Sequence, residues 1–332
     1  MPRLTRGRGW GERAAGMTRN DTIRLYPPRS LWRQVWARLL RDPRGMLGLA
    51  LVVLFSIIAV VGPPLAPHDP RRLDYDREYT PPFWQVRSLV NLTPDPAYPL
   101  GTDGQGRDVF SRMLYGTRIS MSIGWLTVLF TLLIGLPIGL LAGYRGGLVD
   151  NLLMRLADVF YALPTIMFYI LVVMLLRETA FGRLLNGLAM LVLAFSAVGW
   201  VGVARLARGS TLVLREALYV DAGRVAGATT FRLLSRHILP NILGPILVWV
   251  TATLPRVVTI EAILGYLRIS ISPAANPDAF YTLSWGGMFY EGRNALRSAP
   301  WVLIVPAVCL MLVSIGFTFL GDSLRDALDP RR

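Results

Sequence analysis

The sequence contains no lysine; all 35 of its basic residues are arginine. That absence excludes the phosphate-binding pattern GxxxxGK[ST] and any lysine Schiff base from this chain. If ATP drives the protein, a different chain hydrolyses it. The single cysteine, Cys309, lies inside an apolar run, which excludes intrachain disulfides and thiolate clusters. His68 and His237 are the only histidines, too few for a histidine-rich metal site, and neither lies in an apolar run where it could serve a buried Ser or Asp. No catalytic set, metal site or cofactor motif emerges.

Apolar residues are abundant instead. They make up 53% of 332 residues, with a mean hydropathy of +0.45, which is beyond a soluble domain and implies a polytopic membrane protein. Six runs are expected to cross the bilayer: 45–61 (extending toward Leu65), 119–143 (bent at Pro137), 157–176 (kinked at Pro164), 184–204, 242–267 and 302–320.

Arginine placement orients these spans. The first 45 residues carry 11 arginines against Glu12, Asp21 and Asp42, a formal +8, whereas 62–118 holds seven arginines and seven acids. Residues 205–240 hold six arginines against Glu216 and Asp221. By the positive-inside rule, both termini and the 205–240 loop face the cytoplasm. The expected organisation is a basic segment 1–44, a first transmembrane helix 45–66, an outer region 67–118, a five-helix core 119–320 with an outer loop 268–300, and a cytoplasmic tail 321–332. The N-terminus reads as disordered in its Arg- and Gly-rich early part, then as an amphipathic surface helix over 30–40. Its position directly before a span favours the membrane over nucleic acid as the partner of this basic, aromatic stretch.

The outer region is rich in proline and turns, and Asn91-Leu92-Thr93 fits a glycosylation sequon by pattern. It ends in PLGTDGQGRDVFSR, where Asp103 and Asp108 lack the alternating ligands and closing Glu of a calcium loop. A tight structural turn is the better reading. After the second run, Gly143-Tyr144-Arg145-Gly146-Gly147 makes an inner turn with Asp150 as a helix cap, and Arg155 and Asp158 are spaced to pair on one face. Trp301 is placed to anchor at the membrane interface.

The loop REALYVDAGRVAGATTFRLLSRHILPNILGP, 215–245, reads as two short helices around a turn. Glu216 to Ala226 is helical, Gly227 takes the turn, and Thr229 or Thr230 caps a second helix with Phe231, Leu234 and Ile238 on one face and Arg232 and Arg236 on another, until Pro240. This segment resembles the coupling loop of ABC importer permeases. Asp221-Ala222-Gly223 stands at its Glu-Ala-Ala, Gly227 at its glycine, and His237-Ile238-Leu239-Pro240-Asn241 at the ending of the peptide and nickel branch. Asp221 is one methylene shorter than Glu, and Gly223 replaces Ala at about 1 kcal/mol in a helix. The GTDGQGRD stretch, 143–164 and the tail GDSLRDALDPRR resemble the same branch, in order, over about residues 30–332.

That resemblance implies an all-α polytopic membrane protein with six transmembrane helices and type I ABC importer permease architecture, in a prokaryotic inner membrane. It implies a second homologous permease, two ATPase subunits and an external binding protein as partners. It further implies a path for peptides, nickel or a similar solute and no enzymatic activity in this chain. An ion-coupled secondary transporter is the alternative, but it leaves the basic loop unexplained. Two charges in the fifth run, Arg256 and Glu261, are candidates for the path. Five residues apart, they lie about 140° apart on a straight helix, so a direct pair needs a bend or the long Arg side chain.

Overall fold

The computed structural model describes residues 31–85, 93–271 and 283–329. Residues 1–30, Asn91 and Leu92 of the sequon, the middle of the 268–300 loop and the last three residues lie outside it. Among the described residues there is no β-strand, only an isolated bridge between Thr102 and Asp108.

Helix α1, Leu31–Leu39, buries Val35 and Leu39 and leaves Trp36 exposed. Asp42 accepts the Arg44 N–H at 3.1 Å and Pro43 opens the first turn, so α2, Pro43–Leu65, begins where a cap and a proline both favour it. Its 23 residues span about 34 Å, enough for the hydrocarbon core. Helix α3, Val109–Arg145, starts ten residues before the apolar run because the Asp108 carboxylate accepts both the Phe110 and Ser111 N–H groups at 3.1 Å. Pro137 lies within it without interrupting it.

The third expected span is two helices. Gly147–Tyr161, α4, and Thr165–Leu176, α5, are bent by 82° at their junction. Pro164 has no N–H to donate and disfavours helical geometry at the residue before it, so the chain breaks where a kink was expected. Gly146 occupies the cap position of α4. Asp150 is not a cap; it sits in the first turn and pairs with Arg208 through two contacts of 2.5 and 2.6 Å. Asp158 likewise pairs with Arg205 at 2.8 Å and not with Arg155. Arg205 lies 4.4 Å over the Tyr161 ring. Both arginines belong to α6, Leu188–Leu214, so the carboxylates tie two helices together instead of stabilising one.

Next come α7, Leu218–Val225, and α8, Thr230–Leu233, which passes through a π-helical turn, Leu234–Ile238, into α9, Leu239–Tyr266. Helix α10, Trp285–Asn294, precedes α11, Trp301–Leu328. The last helix overruns its expected end at 320 and takes in the tail. Arg38 of α1 meets its final carbonyls, donating to Ala327 O at 3.2 Å and Asp329 O at 3.1 Å. Among the described residues five helices are long and apolar enough to cross a membrane, or six if the bent pair counts as one span.

The most extensive packing joins α3 to α6 along Gly135, Gly139 and Gly143. A Cβ at Gly143 would lie 2.7 Å from both Arg208 O and Thr211 Cβ, and Cβ atoms at Gly135 and Gly139 would crowd Trp200 O and Ala204 O more closely still. Ala204, Ala207 and Thr211 are fully buried opposite. Small residues every four positions let two backbones approach in a membrane, where no hydrophobic effect drives helices together.

At the far end of α3 the 101–112 turn is knitted into the bundle. Asp103 accepts Gln105 N at 2.8 Å and Arg107 Nε at 2.8 Å, the turn geometry expected for this motif. The buried Arg112 reaches Glu291 of α10 at 2.5 Å, and Arg107 reaches the same carboxylate at 2.9 Å. Trp301 is not an interfacial anchor. It is buried and donates its indole N–H to Thr102 O at 3.0 Å, because the 101–108 turn folds down over the start of α11.

Replacing Gly139 with Leu is expected to force α3 and α6 apart, at the 1–3 kcal/mol or more of overpacking. Gly209, with open space around its Cβ position, should accept Ala. Thermal melts of the two variants by fluorescence-detected gel filtration check this: a clear drop in the midpoint for G139L and none for G209A.

Candidate functional site

The 215–240 element stands on the α3–α6 pair. Val220, Leu233 and Ile238 are buried against Leu140, Ala207 and Ile242. Leu233 and Ile238 are five residues apart and share this face because the π turn between them has i to i+5 periodicity. That changes the expected pattern: Phe231, assigned with Leu234 and Ile238 to the apolar face, is 80% exposed. Pro240, which lacks an N–H, lies in the first turn of α9 directly after the π turn.

The turn follows the sequence more closely. Gly227 has φ +79°, and Thr229 caps α8 by accepting the Arg232 N–H at 3.3 Å. Gly223 has a packing reason, since a Cβ there would lie 2.9 Å from Leu233 Cδ2, so its absence lets α7 close on α8. Asp221 pairs with Arg224 at 2.7 Å, and Arg224 reaches over the Tyr144 ring at 6.0 Å. Arg215 donates to Gly143 O at 3.2 Å and approaches Glu216 at 3.6 Å. The element is therefore locked to the 143–147 turn. Asn241 Nδ2 donates to His237 O at 2.6 Å, and the His237 ring lies 6.5 Å from that of Tyr219. Ala222, Arg232 and Pro240 are exposed, and Leu239 is half-buried.

Outward, α7 and the following helix present Leu218 at 87% exposure, Val225 at 90% and Phe231, with Ala222 and Ala226 between them. Leu218, Ala222 and Val225 fall at i, i+4 and i+7, one stripe of a helix. The surrounding charges are Asp221, Arg224 and Arg232.

The two intramembrane charges part company. Glu261 is 0% exposed, accepting Ser120 Oγ at 3.3 Å and Ser270 Oγ at 3.1 Å, with the Ser284 hydroxyl and Gly286 N–H also directed at it. Ser120 Oγ in turn accepts the Trp285 N–H at 3.1 Å. This carboxylate joins α3, α9 and the start of α10. Arg256 is exposed on the opposite face of α9, and no carboxylate among the described residues lies within 4.0 Å of it.

Comparison with known proteins assigns this helical chain to a family. The profile of the family described as "Binding-protein-dependent transport system inner membrane component" matches residues 135–332, and that of the "N-terminal TM domain of oligopeptide transport permease C" matches 30–82. The chain belongs to the binding-protein-dependent transport permeases. It is 36% identical to the dipeptide transport system permease protein DppC of Bacillus subtilis, over 92% of this chain and 87% of that one. It is 36% identical to the glutathione transport system permease protein GsiD of Pectobacterium atrosepticum, over 98% of this chain and 99% of that one. A chain of the inward-facing MetNI methionine ABC transporter superposes with a TM-score of 0.51 at 18% identity, covering 66% of this permease and 96% of that chain. The permease is thus a multi-pass inner-membrane component of an ABC transport system, with a type I importer fold.

Sequence reasoning missed the exposed Leu218 and Val225 of this permease, the serine cage of Glu261, and the two Asp–Arg staples of α4. Leu218, Ala222 and Val225 carried an i, i+4, i+7 signal. The serines, spread from Ser120 to Ser284, carried none.

The open space around Gly227 makes its requirement conformational, since no heavy atom lies within 4 Å of its Cβ position. Gly227→Val is expected to cost about 1–2 kcal/mol for left-handed geometry, and Gly227→Asn much less. Amide hydrogen exchange over 218–238 should quicken in the valine variant and stay near wild type in the asparagine variant.

Proposed function

We propose that this chain is the membrane-spanning subunit of an ATP-driven importer of peptides or similar small solutes. It works with a second related permease, two ATPase subunits and an external binding protein. The chain supplies the path and the mechanical link, and ATP hydrolysis takes place on the ATPases. The observation that carries this reading is the apolar stripe Leu218, Ala222 and Val225, with Phe231, on an element otherwise covered by Asp221, Arg224, Arg232 and Arg236. Such a knob on a charged surface fits a groove on another protein. Covering one of these large side chains is worth about 1.5–3 kcal/mol.

The locked base of the element supports the coupling role. Movement applied to α7 passes through Val220, Leu233 and Ile238 to α6 and α9, and through Arg215 to the end of α3. In this reading Asp221, Arg224 and Arg232 rim the docking patch, Gly223 and Gly227 shape it, and His237, Leu239 and Pro240 set the passage into α9. Glu216 is directed to solvent at its edge. Arg256 and Glu261 belong to the membrane segment of the same helix, one facing the path and one holding its wall. The names of the relatives, with dipeptide and glutathione transport among them, support peptides as the solute class.

Leu218→Asp is expected to weaken ATPase docking at least tenfold, about 1.4 kcal/mol, with insertion unchanged. Co-purification of the ATPase subunits and their binding-protein-stimulated turnover measure it. Normal coupling in L218D would refute the docking surface. The orientation has its own check, made simple by the single buried cysteine. In a Cys309→Ala background, a cysteine at position 85 should react with impermeant maleimide from outside and one at position 232 should not.

A further inference from the structure

We infer that Arg256 is a carboxylate-binding site on the translocation path, a transfer point for solutes carrying a free C-terminal carboxylate; this rests on the importer reading above. Arg256 lies about 26 Å along α9 from Leu239 and about 15 Å short of its end at Tyr266, well inside the apolar stretch. It is exposed and carries a fixed charge, and no fixed carboxylate among the described residues is in reach. A guanidinium at that depth facing hydrocarbon is costly, so the surface around it is water-filled or covered by the partner permease.

The composition of that surface favours water. Along the apolar run of α2 the exposed large side chains, among them Leu47, Val53, Leu54, Ile57, Val60 and Leu65, are all aliphatic, a face suited to lipid. On α9 the stripe through Arg256 runs Trp249, Ala252, Arg256, Thr259, each within about 60° of Arg256 around the helix, with Ala252 exposed and Trp249 and Thr259 half-buried. The Trp249 indole nitrogen lies 3.3 Å from the Cβ position of Gly202 on α6, which has no side chain to fill the space. The aromatic ring and the cation thus share one side of α9, the ring packed against α6. A planar guanidinium binds a carboxylate through two parallel hydrogen bonds. With no carboxylate held there by the chain, the anion it binds arrives with the solute and leaves with it.

The test uses the whole transporter in proteoliposomes with saturating binding protein, and compares uptake of dialanine with dialanine amide, each normalised to wild type. Arg256→Gln is expected to lower dialanine uptake about tenfold more than that of the amide, with the assembled complex recovered in wild-type yield. Arg256→Lys, which keeps the charge and loses the fork, should fall between. Equal loss for the two solutes, or unchanged uptake of both, would overturn the assignment. So would loss of assembly in the Gln variant combined with a lysine variant that treats the solutes alike, since that pattern belongs to a structural pair with the partner permease. Wild-type uptake reports separately on the importer reading: a wild-type complex that carries neither peptide removes that reading and this inference with it.

Discussion

The contact between α3 and α6 is the constraint on which the other helices depend. Lipid surrounds the bundle, so burying another leucine gains little over leaving it in the bilayer, and close backbone packing has to supply cohesion. Gly135, Gly139 and Gly143 remove side chains on the line where the carbonyls of Trp200, Ala204 and Arg208 arrive. The same device recurs where Gly48 of α2 meets Gly316 O of α11, and where Gly265 of α9 meets Gly286 of α10. Three glycine contacts therefore set most of the interhelical distances, and the apolar residues fill what remains.

Both ends of this rigid pair carry polar joints. At one end, Asp150 and Asp158 hold the bent α4 to Arg208 and Arg205, and Arg215 ties the loop to Gly143 O. At the other, Arg107 and Arg112 share Glu291, and Trp301 reaches Thr102 O. Glu261 with its serines links that second end into the core. The 215–240 element rests on the first joint and the 101–112 turn on the second, so a displacement at α7 has a continuous packed route through α6 and α9. The bend between α4 and α5 leaves Met167, Leu171 and Met174 exposed, an apolar surface suited to lipid.

Among the described residues charge placement follows one rule, with one exception. Arginines outside the apolar spans are paired with carboxylates or carbonyls, or are at least partly exposed. Glu261, the carboxylate enclosed by the core, is surrounded by hydroxyls and a backbone N–H and has no counter-cation among its close contacts. Arg256 departs from the rule, an intramembrane cation on an exposed face.

The sequence alone determined the membrane class, the helical spans to within a few residues at most ends, the turn at Gly227 and a cap at Thr229 or Thr230. Each of these depends on neighbours along the chain: hydropathy over a window, a backbone angle only glycine adopts freely, a side chain reaching three residues ahead. The sequence also placed Arg256 and Glu261 on different faces, because helical periodicity is a local property. Only the tertiary structure decided that Asp158 pairs with Arg205 and not Arg155, that Trp301 is buried, that Phe231 turns outward, and that Glu261 is caged by serines up to 141 positions away. In each case several partners were sterically possible, and the choice was made by which backbones the glycine contacts bring together, information that no window of sequence contains.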